Sequence, residues 1–320
     1  MENGSDIVIF GAAILDIPAG PVDITLLRAG SVPADRITMN TGGDALNEAT
    51  VLAKLGKPVR LVSKVGDDMA GRVILDHCRQ YGIDTEHILV EPGLDTGVNV
   101  VLVHPDGERS FLTNRNGALR RIYREDLRGE VLKGARIFCF ASIFVFPWIG
   151  KKELASIFKD AKAGGLILCA DMTKCKNRET VQDLREALLY LDYLFPNLEE
   201  AQMVTGKNDP DEAADAFLEC GVKTVVIKLG QKGCLIKSKD IRALVPAYSD
   251  AVCVDTTGAG DAFAAGFLYG LSEGMPPVEC ARFGNAAASA AIEEFGAVVG
   301  VRDLAQVYER YESKNIDRGR

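Results

Sequence analysis

The second half of the chain alternates between short apolar runs and longer segments in which apolar residues recur at helical spacing. The apolar runs lie at 137–140, 166–170, 193–195 and 224–229, and the helical patterns lie between and after them at 151–163, 180–190, 211–220, 277–294 and 302–311. Strands that alternate with helices of this length pair in parallel, and the helices cover both faces of the sheet. The alternation therefore predicts an α/β fold with a mostly parallel sheet.

The first half adds strands and helices of the same kind, together with β segments that do not fit the alternation. Strands are predicted at 7–10 and 59–65, and helices at 44–55 and 69–81. Residues 17–40 are rich in glycine, proline and short alternating pieces, and a hairpin is predicted over 98–113 around a Pro-Asp-Gly turn. We expect these β segments, about 12–40 and 97–114, to project from the main body.

A glycine-rich stretch at 255–263, Asp-Thr-Thr-Gly-Ala-Gly-Asp-Ala-Phe, joins an apolar run at 251–254 to an apolar helical pattern. We interpret it as a strand, a glycine turn and the N-terminus of a helix. Backbone N–H groups at such a turn, together with the helix dipole, favour a bound anion. Asp261 would stand beside that anion, where it either accepts a proton from an attacking hydroxyl or only caps the helix.

Polar side chains stand at or just beyond the ends of several predicted strands: Asp16, Asp171, Asn197, Glu200, Lys228 and Asp261. The carboxyl ends of parallel strands share one edge of the sheet, and ligands bind at that edge in open α/β folds. Paired glycines, Gly42 and Gly43, precede a helix and allow a ligand to approach the backbone closely. Glu200 is either a water-mediated Mg²⁺ ligand or a residue that only favours the helix dipole.

Composition excludes several classes of protein. The net charge of −8 argues against a nucleic-acid partner. The eight cysteines form no Cys-x-x-Cys pair and most lie in apolar runs, which is typical of buried thiols in a reducing compartment. No apolar run approaches the length of a membrane span, and the first residues lack the pattern of a signal peptide. We therefore expect a cytoplasmic protein without a membrane segment.

Four elements resemble the ribokinase-like, or PfkB, family of sugar kinases, and together they extend over about residues 6–312. The 255–263 stretch resembles the C-terminal signature of the family, and Gly42-Gly43-x-x-x-Asn47 resembles its N-terminal signature. Asn197-Leu-Glu-Glu200 resembles its Asn-x-x-Glu element. Asn285-Ala-Ala-Ala, with the 296–300 stretch, resembles its adenine-side helix and loop.

The resemblance implies a three-layer α/β/α sandwich with a mostly parallel sheet, in which residues 1–320 form one kinase domain. The segments 12–40 and 97–114 would form a small β-sheet lid. The implied activity is ATP-dependent phosphorylation of a hydroxyl of a small sugar or sugar derivative, with Mg²⁺ and, in some relatives, a monovalent cation such as K⁺. The lid often pairs with a second subunit in this family, which implies a homodimer.

The resemblance also assigns roles to individual residues. Asp261 would be the general base, and the N–H groups of Gly258, Ala259 and Gly260 would hold the transferred phosphoryl group. The acceptor's hydroxyls would be held by Asp16, Gly42, Gly43 and Asn47. The nucleotide and its Mg²⁺ would be bound by Asn197, Glu200, Lys228, Gly230, Gly233 and Asn285. Asp255 would lie at the monovalent-cation site, and Arg109 is either a further acceptor ligand or a solvated lid residue.

Three other readings of the chain stay open on sequence grounds. Asp16 and the Gly42-Gly43 pair are also able to bind a ribose, so a nucleoside kinase of the same family is the first alternative. A catalytically silent ligand sensor is disfavoured by the intact Gly258-Ala-Gly-Asp261 turn. A Rossmann oxidoreductase is disfavoured because Phe263 stands at the third glycine position of the dinucleotide fingerprint and the first strand lacks that fingerprint.

Overall fold

A large sheet with apolar central strands forms the middle layer of the protein. The computed structural model describes residues 6–23, 28–29, 31–105, 109–127 and 129–316. Within them the strands are β1 (Ile7–Phe10), β2 (Ile14–Gly20), β3 (Arg36–Ile37), β4 (Asn40–Gly42), β5 (Val59–Gly66), β6 (Ile88–Glu91), β7 (Val98–Val103), β8 (Arg109–Thr113), β9 (Ile137–Ile143), β10 (Ile167–Met172), β11 (Tyr193–Leu194), β12 (Thr224–Lys228), β13 (Cys234–Ser238) and β14 (Arg242–Val245).

Nine of these strands form the large sheet, in the order β14-β13-β12-β11-β10-β9-β1-β5-β6. All pairs from β12 to β6 are parallel, whereas β13 and β14 are antiparallel to their neighbours. β1 is buried along its whole length. Ile7 and Ile9 pack into one hydrophobic cluster and Val8 and Phe10 into the other. A strand covered by helices on both faces requires such a continuous apolar sequence.

Helices cover both faces of this sheet. They are α1 (Asp44–Lys54), α2 (Met69–Tyr81), α3 (Lys151–Ala163), α4 (Arg185–Leu188), α5 (Leu198–Thr205), α6 (Pro210–Glu219), α7 (Ala259–Ser272), α8 (Pro277–Ala291) and α9 (Leu304–Ile316). Buried residues of α1, α2, α7, α8 and α9 belong to one cluster, and those of α3 to α6 belong to the other. The fold is therefore the three-layer α/β/α sandwich that the sequence predicts.

A second, smaller sheet stands apart from the large one. Its strands follow the order β3-β2-β7-β8, and β4 pairs with β2. This lid sheet, as we call these five strands, exposes the large apolar side chains of Ile37, Phe111 and Leu112. At its β3 end the guanidinium of Arg36 lies 5.9 Å from the ring centre of Phe295, which belongs to the main body.

The chain passes between the two sheets at four points that lie next to one another. It leaves β1 for the lid at 11–13 and returns at Gly43. A Cβ on Gly43 would stand 2.5 Å from the carbonyl oxygen of Ala12, so these two crossings lie against each other. It leaves again at Gly97 and returns at Gly117, which form the second pair of crossings. The Leu15 N–H donates to the Gly97 carbonyl at 2.9 Å, and a Cβ on Gly117 would lie 3.1 Å from the Cα of Gly97. The lid is thus joined to the main body at one corner.

Most predicted elements are confirmed, and the differences have local causes. The helix predicted over 180–190 is wrong in length, because only Arg185–Leu188 is α-helical. The side chain of Asp183 accepts hydrogen bonds from the N–H and hydroxyl of Thr180, and such local bonds compete with helix formation. Strands β6, β13 and β14 were not predicted.

Two further features bear on the protein class. All eight cysteines lie among the described residues and are free thiols; Cys253 is exposed, Cys175 is half-buried and the others are buried. Within the described ranges, no helix has the length and apolar character needed to cross a membrane.

Candidate active site

A cavity of about 660 Å³ opens where the parallel strands of the large sheet end. Its polar lining comes from elements that are far apart in sequence: Asp44, Ser142, Asp171, Asn197, Glu200, Lys228, Asp261 and Asn285. The sequence predicts that polar residues at strand ends share one edge, and the structure brings five of the six together here. The sixth, Asp16, lies within β2 of the lid rather than past the end of β1.

Asp261 lies in the first turn of α7 and faces the cavity. Its carboxylate accepts a hydrogen bond of 2.7 Å from the side-chain amide of Asn47, on α1. Burial, followed by the negative charge of Asp44, raises the pKa of Asp261 to about 8, and the Asn47 bond opposes that shift. A carboxyl group with a pKa near neutrality has the strength of a useful general base.

The turn before α7 is held in place by a buried carboxylate. Asp255 accepts hydrogen bonds from the Thr257 N–H at 3.0 Å and the Thr257 hydroxyl at 2.7 Å. Its other oxygen accepts from the Gly296 N–H at 3.1 Å. Gly258 has a φ of 75°, and a Cβ there would stand 2.3 Å from the carbonyl oxygen of Ala297. Only glycine fits this position, because the backbone is left-handed and a neighbouring loop is in contact with it.

Several amide groups at this turn are free to bind a ligand. The N–H groups of Gly258, Gly260 and Asp261 donate to no group in the part of the chain that the structure describes. The N–H of Ala259 differs, because it donates to the Thr256 carbonyl at 3.2 Å. Unpaired amides at the start of a helix bind anions well, since their dipoles point at the ligand.

The strand predicted at 251–254, before this turn, is wrong. That segment pairs with no strand that the structure describes; instead the N–H groups of Val254 and Asp255 both donate to the carbonyl of Ile292, at 2.7 and 3.1 Å. Val252 is 68% exposed, so its apolar character does not reflect burial in a sheet. The anion-binding turn is therefore supported by the loop that follows α8.

A compact group of charges lies on the strand side of the cavity. Lys228, at the end of β12, forms an ion pair of 2.5 Å with Asp171, at the end of β10. Burial raises the pKa of Asp171 to about 6 and that of Glu200 to about 7, although Lys228 opposes both shifts. The Glu200 carboxylate accepts from the Asn197 N–H, and the Asn197 side chain accepts from the Glu200 N–H. This reciprocal pair fixes the start of α5.

Asp16 and the two paired glycines meet at the lid side of the site. The carboxylate of Asp16 accepts a hydrogen bond of 2.9 Å from Asn99, on β7. A Cβ on Gly42 would lie only 2.1 Å from this carboxylate, so glycine is required for Asp16 to hold its position. Burial is the main cause of the raised pKa of Asp16, and the charge of Asp44 adds to it. Gly43 immediately precedes α1, which carries Asp44 and Asn47.

Of the remaining predicted site residues, three lie on the β13 side of the cavity, and the side chain of the fourth is not among those that the structure describes. Gly230, Gly233 and Asn285 line the cavity. The side-chain amide of Asn285 donates to the carbonyls of Val245 and Pro246, at 3.1 and 3.2 Å. It therefore supports the wall of the cavity. Arg109 begins β8, but its side chain lies outside the described residues.

On sequence grounds no role was assigned to four polar residues that the structure places at or near the site: Asp44, Ser142, Asn99 and Glu48. Asp44 accepts a hydrogen bond from Ser142 and lies near both Asp16 and Asp261, whose pKa values its charge raises. Asn99 is the partner of Asp16, and alternation along β7 is the one sequence signal that pointed to it. Glu48 is fully buried, and neither carboxyl oxygen has a hydrogen-bond partner among the described residues. Burial, with Asp171 and Asp261 nearby, keeps its pKa well above the usual range.

Comparison with known proteins gives one family over nearly the whole chain. Residues 5–303 match the family described as pfkB family carbohydrate kinase. The ribokinase of Haemophilus influenzae is 32% identical over 277 residues, which cover 85% of this chain and 87% of that protein.

Solved structures of relatives share the fold. The structure of Arabidopsis thaliana ribokinase complexed with ribose and ATP has a TM-score of 0.82 at 26% identity and covers 96% of this chain and 99% of that one. The adenosine kinase of Sinorhizobium meliloti has a TM-score of 0.80 at 27% identity and covers 93% of this chain and 97% of that one.

Proposed function

The chain belongs to the pfkB family of carbohydrate kinases, and we propose that it phosphorylates a hydroxyl of a small sugar or sugar derivative with Asp261 as the general base. The main observation behind this proposal is that Asp261 is half-buried beside unpaired amides at the start of α7. A base and an anion site are thereby brought to one point. Phosphoryl transfer from ATP, the activity of this family, requires positioning and charge stabilisation more than covalent chemistry.

In this proposal Asp261 accepts the proton of the attacking hydroxyl as that oxygen bonds to the γ-phosphorus of ATP. The bond between this phosphorus and the β–γ bridging oxygen breaks, and ADP leaves with the electron pair. The raised pKa of Asp261 makes the carboxylate a stronger base than an ordinary aspartate. Asn47 would orient it through the 2.7 Å hydrogen bond while also contacting the acceptor. Asp16 and the backbone at Gly42 and Gly43 would hold the acceptor's other hydroxyls.

The free N–H groups of Gly258 and Gly260 would hold the phosphoryl group during its transfer. Ala259 was included in this role on sequence grounds, and its N–H would have to leave the Thr256 carbonyl to take part. The Lys228 ammonium lies 3.4 Å from where a Cβ on Gly260 would stand, so it would face the same oxygens. Amides and a cation aimed at developing charge are an established source of rate enhancement.

The charges of the cavity fit a family that uses ATP with Mg²⁺. Asp44, Asp171, Glu200 and Asp261 supply four carboxylates, and Lys228 supplies the nearest positive charge. Hard oxygen ligands of this kind suit Mg²⁺, which commonly keeps several waters. We propose that Glu200, with Asn197 beside it, holds those waters. Mg²⁺, when bound, supplies positive charge to the phosphate oxygens.

We propose two further features of the site. The lid sheet would cover the acceptor and exclude water, which competes as an acceptor. A monovalent cation such as K⁺ would have to bind backbone oxygens near Asp255, since its carboxylate is engaged by Thr257 and Gly296.

The test is coupled ADP release with ATP and Mg²⁺ over ketoses, aldoses, sugar acids, sugar phosphates and nucleosides. We expect turnover on one class, and a loss of roughly 10²–10⁴-fold in the Asp261→Ala variant. Glu212→Gln is the control, because Glu212 is an exposed carboxylate in the first turn of another helix, α6. Near wild-type turnover of Asp261→Ala, with the protein folded, would falsify the assignment of the base.

Nucleosides form the competing class of acceptor. The similarity to an adenosine kinase favours that class, and the same residues are able to hold a ribose. Preferential turnover of nucleosides over sugars in the panel would replace the sugar proposal while leaving Asp261 as the base.

A homodimer formed through the lid is also part of the proposal. The exposed apolar side chains of Ile37, Phe111 and Leu112 support it, because exposed apolar groups on one small sheet often mark an interface. Light scattering after size-exclusion chromatography is expected to give twice the chain mass. Replacement of Leu112 by aspartate is expected to shift that mass towards the monomer.

A further inference from the structure

Two short segments of this acidic chain contain only basic charges. Residues 115–121, Arg-Asn-Gly-Ala-Leu-Arg-Arg, carry three arginines, and residues 173–178, Thr-Lys-Cys-Lys-Asn-Arg, carry two lysines and an arginine. Neither segment contains an acidic residue, although the chain as a whole has a net charge of −8. A local reversal of sign within an acidic protein indicates where an anion would be attracted.

The fold brings these two segments to one corner of the active site. Leu119 and Cys175 pack against the same large hydrophobic cluster. The charge of Arg120 lowers the pKa of Lys176, which places these two side chains near each other. Thr173, at the start of the second segment, lines the active-site cavity. A Cβ on Gly97 would lie 3.8 Å from Leu119, which puts the first segment beside the crossing to the lid. Both segments therefore flank the acceptor side.

Among the residues with described positions, none pairs with the charge of Arg120 or Lys176. Neither side chain makes a hydrogen bond or ion pair with any residue that the structure describes, whereas Lys174 pairs with Glu199 at 2.6 Å. Lys176 reaches the surface, yet partial burial is the largest cause of its lowered pKa, and the charge of Arg120 adds to it. Asp44 and Glu179 oppose this shift without forming an ion pair. Two adjacent and unpaired cations are stabilised by an anion that binds both.

Backbone strain occurs in the two loops that border this corner. Among the described residues, the non-glycine positions with left-handed backbone are Phe144, with φ of 77°, and Arg178, with φ of 58°. Phe144 follows β9 and Ser142, and Arg178 follows β10 and Lys176. Such strain persists only where surrounding structure imposes it, and it concentrates at functional sites.

We propose that Arg120 and Lys176 bind an anionic group of the acceptor, so that the substrate is a sugar acid or a sugar phosphate rather than a neutral sugar. This inference rests on the proposed function of the site. The pocket would be polarised: hydroxyls lie toward Asp16 and Asp261, and the carboxylate or phosphate lies beyond Asp44 toward the two cations. Arg120 supplies a planar fork that suits either anion, and Lys176 supplies a point charge.

The test compares matched acceptors that differ in charge: gluconate with glucose, and fructose 6-phosphate with fructose. We expect the wild-type protein to favour the anionic member of one pair by at least about 100-fold in kcat/KM. The first pair tests whether the protein prefers an acceptor with a carboxylate, and the second pair tests whether it prefers an acceptor with a phosphate. We expect Arg120→Ala/Lys176→Ala to lose most of that preference through a higher KM for the anionic acceptor, with the KM for ATP unchanged. The control is Lys152→Ala/Lys239→Ala, which removes two exposed lysines elsewhere.

The outcomes separate this inference from the proposed function. Efficient turnover of neutral sugars with no gain from the anionic group would overturn the inference and leave the kinase proposal standing. A rise in the KM for ATP alone would assign the two cations to the nucleotide and also overturn it. Binding is measured independently, by thermal shift without ATP. Absence of any added stabilisation by either anionic acceptor would count against the inference, whereas absence of all turnover would count against the proposed function.

Discussion

A methyl group added at Gly42 tests how the lid side of the site is built. In Gly42→Ala the new Cβ would stand 2.1 Å from an oxygen and 3.0 Å from the Cγ of Asp16, so the carboxylate would have to leave its position. It would lose its bond to Asn99 and its proposed contact with the acceptor. A hydrogen bond to a charged group is worth about 1.5–3 kcal/mol, which predicts a rise of roughly 10–150-fold in the acceptor KM.

Steady-state kinetics on the best acceptor of the panel measure this effect. We expect the KM for ATP to stay within about threefold of wild type, because the residues proposed to bind the nucleotide, such as Gly230 and Asn285, line the cavity toward β13. Gly150→Ala is the matched control, since its backbone is ordinary and its new Cβ would meet only the flexible end of Glu153, at 3.2 Å. In a double-mutant cycle, Gly42→Ala should add little to Asp16→Ala. An unchanged acceptor KM, or a rise confined to ATP, would refute the assignment of Asp16 to the acceptor.

Two further predictions concern the base and the cavity wall. Asn47→Ala removes the hydrogen bond that lowers the pKa of Asp261, so the acidic limb of the kcat/KM profile should move about 1–2 units to higher pH. Because the base acts deprotonated, activity near pH 6 should fall more than activity near pH 9; an unshifted limb would contradict this. Cys253 is exposed and lines the cavity, so iodoacetamide should modify it before the other thiols, and ATP should slow that reaction. Mass spectrometry that finds a buried thiol modified equally fast would disprove it.

The sequence predicts the sandwich well because its evidence is local and repeated. Strand-length apolar runs and helical patterns alternate many times, so an error at one element does not change the architecture. Asp261 and Glu200 come from motifs in which the relevant residues are close in sequence. The structure gathers both at the cavity, while their roles stay predictions.

The errors arise where a distant contact decides the local structure. The 251–254 run has the composition of a strand, but the amide of Val254, like that of the following Asp255, donates to the carbonyl of Ile292 instead. β13 and β14 pair antiparallel at the edge of the sheet, and their short patterns do not distinguish a strand from a loop. The pairing of Asp16 with Asn99 joins residues 83 positions apart. Spacing within either segment does not indicate which residue of the other segment it contacts.

If the lid swings, the single corner at which it joins the main body would act as the pivot, and the two ends of β2 would lie at different distances from it. Asp16 stands three residues beyond the 11–13 crossing, or about 10 Å along the strand, whereas Gly20, which pairs with Arg36, stands about 23 Å away. A swing that parts Arg36 from Phe295 by ~7 Å would therefore displace Asp16 by only ~3 Å. The entrance would open more than twice as far as the proposed acceptor anchor moves. A shift of ~3 Å is enough to break a hydrogen bond, so a full swing would also release the acceptor from Asp16, whereas a smaller swing would open the entrance first.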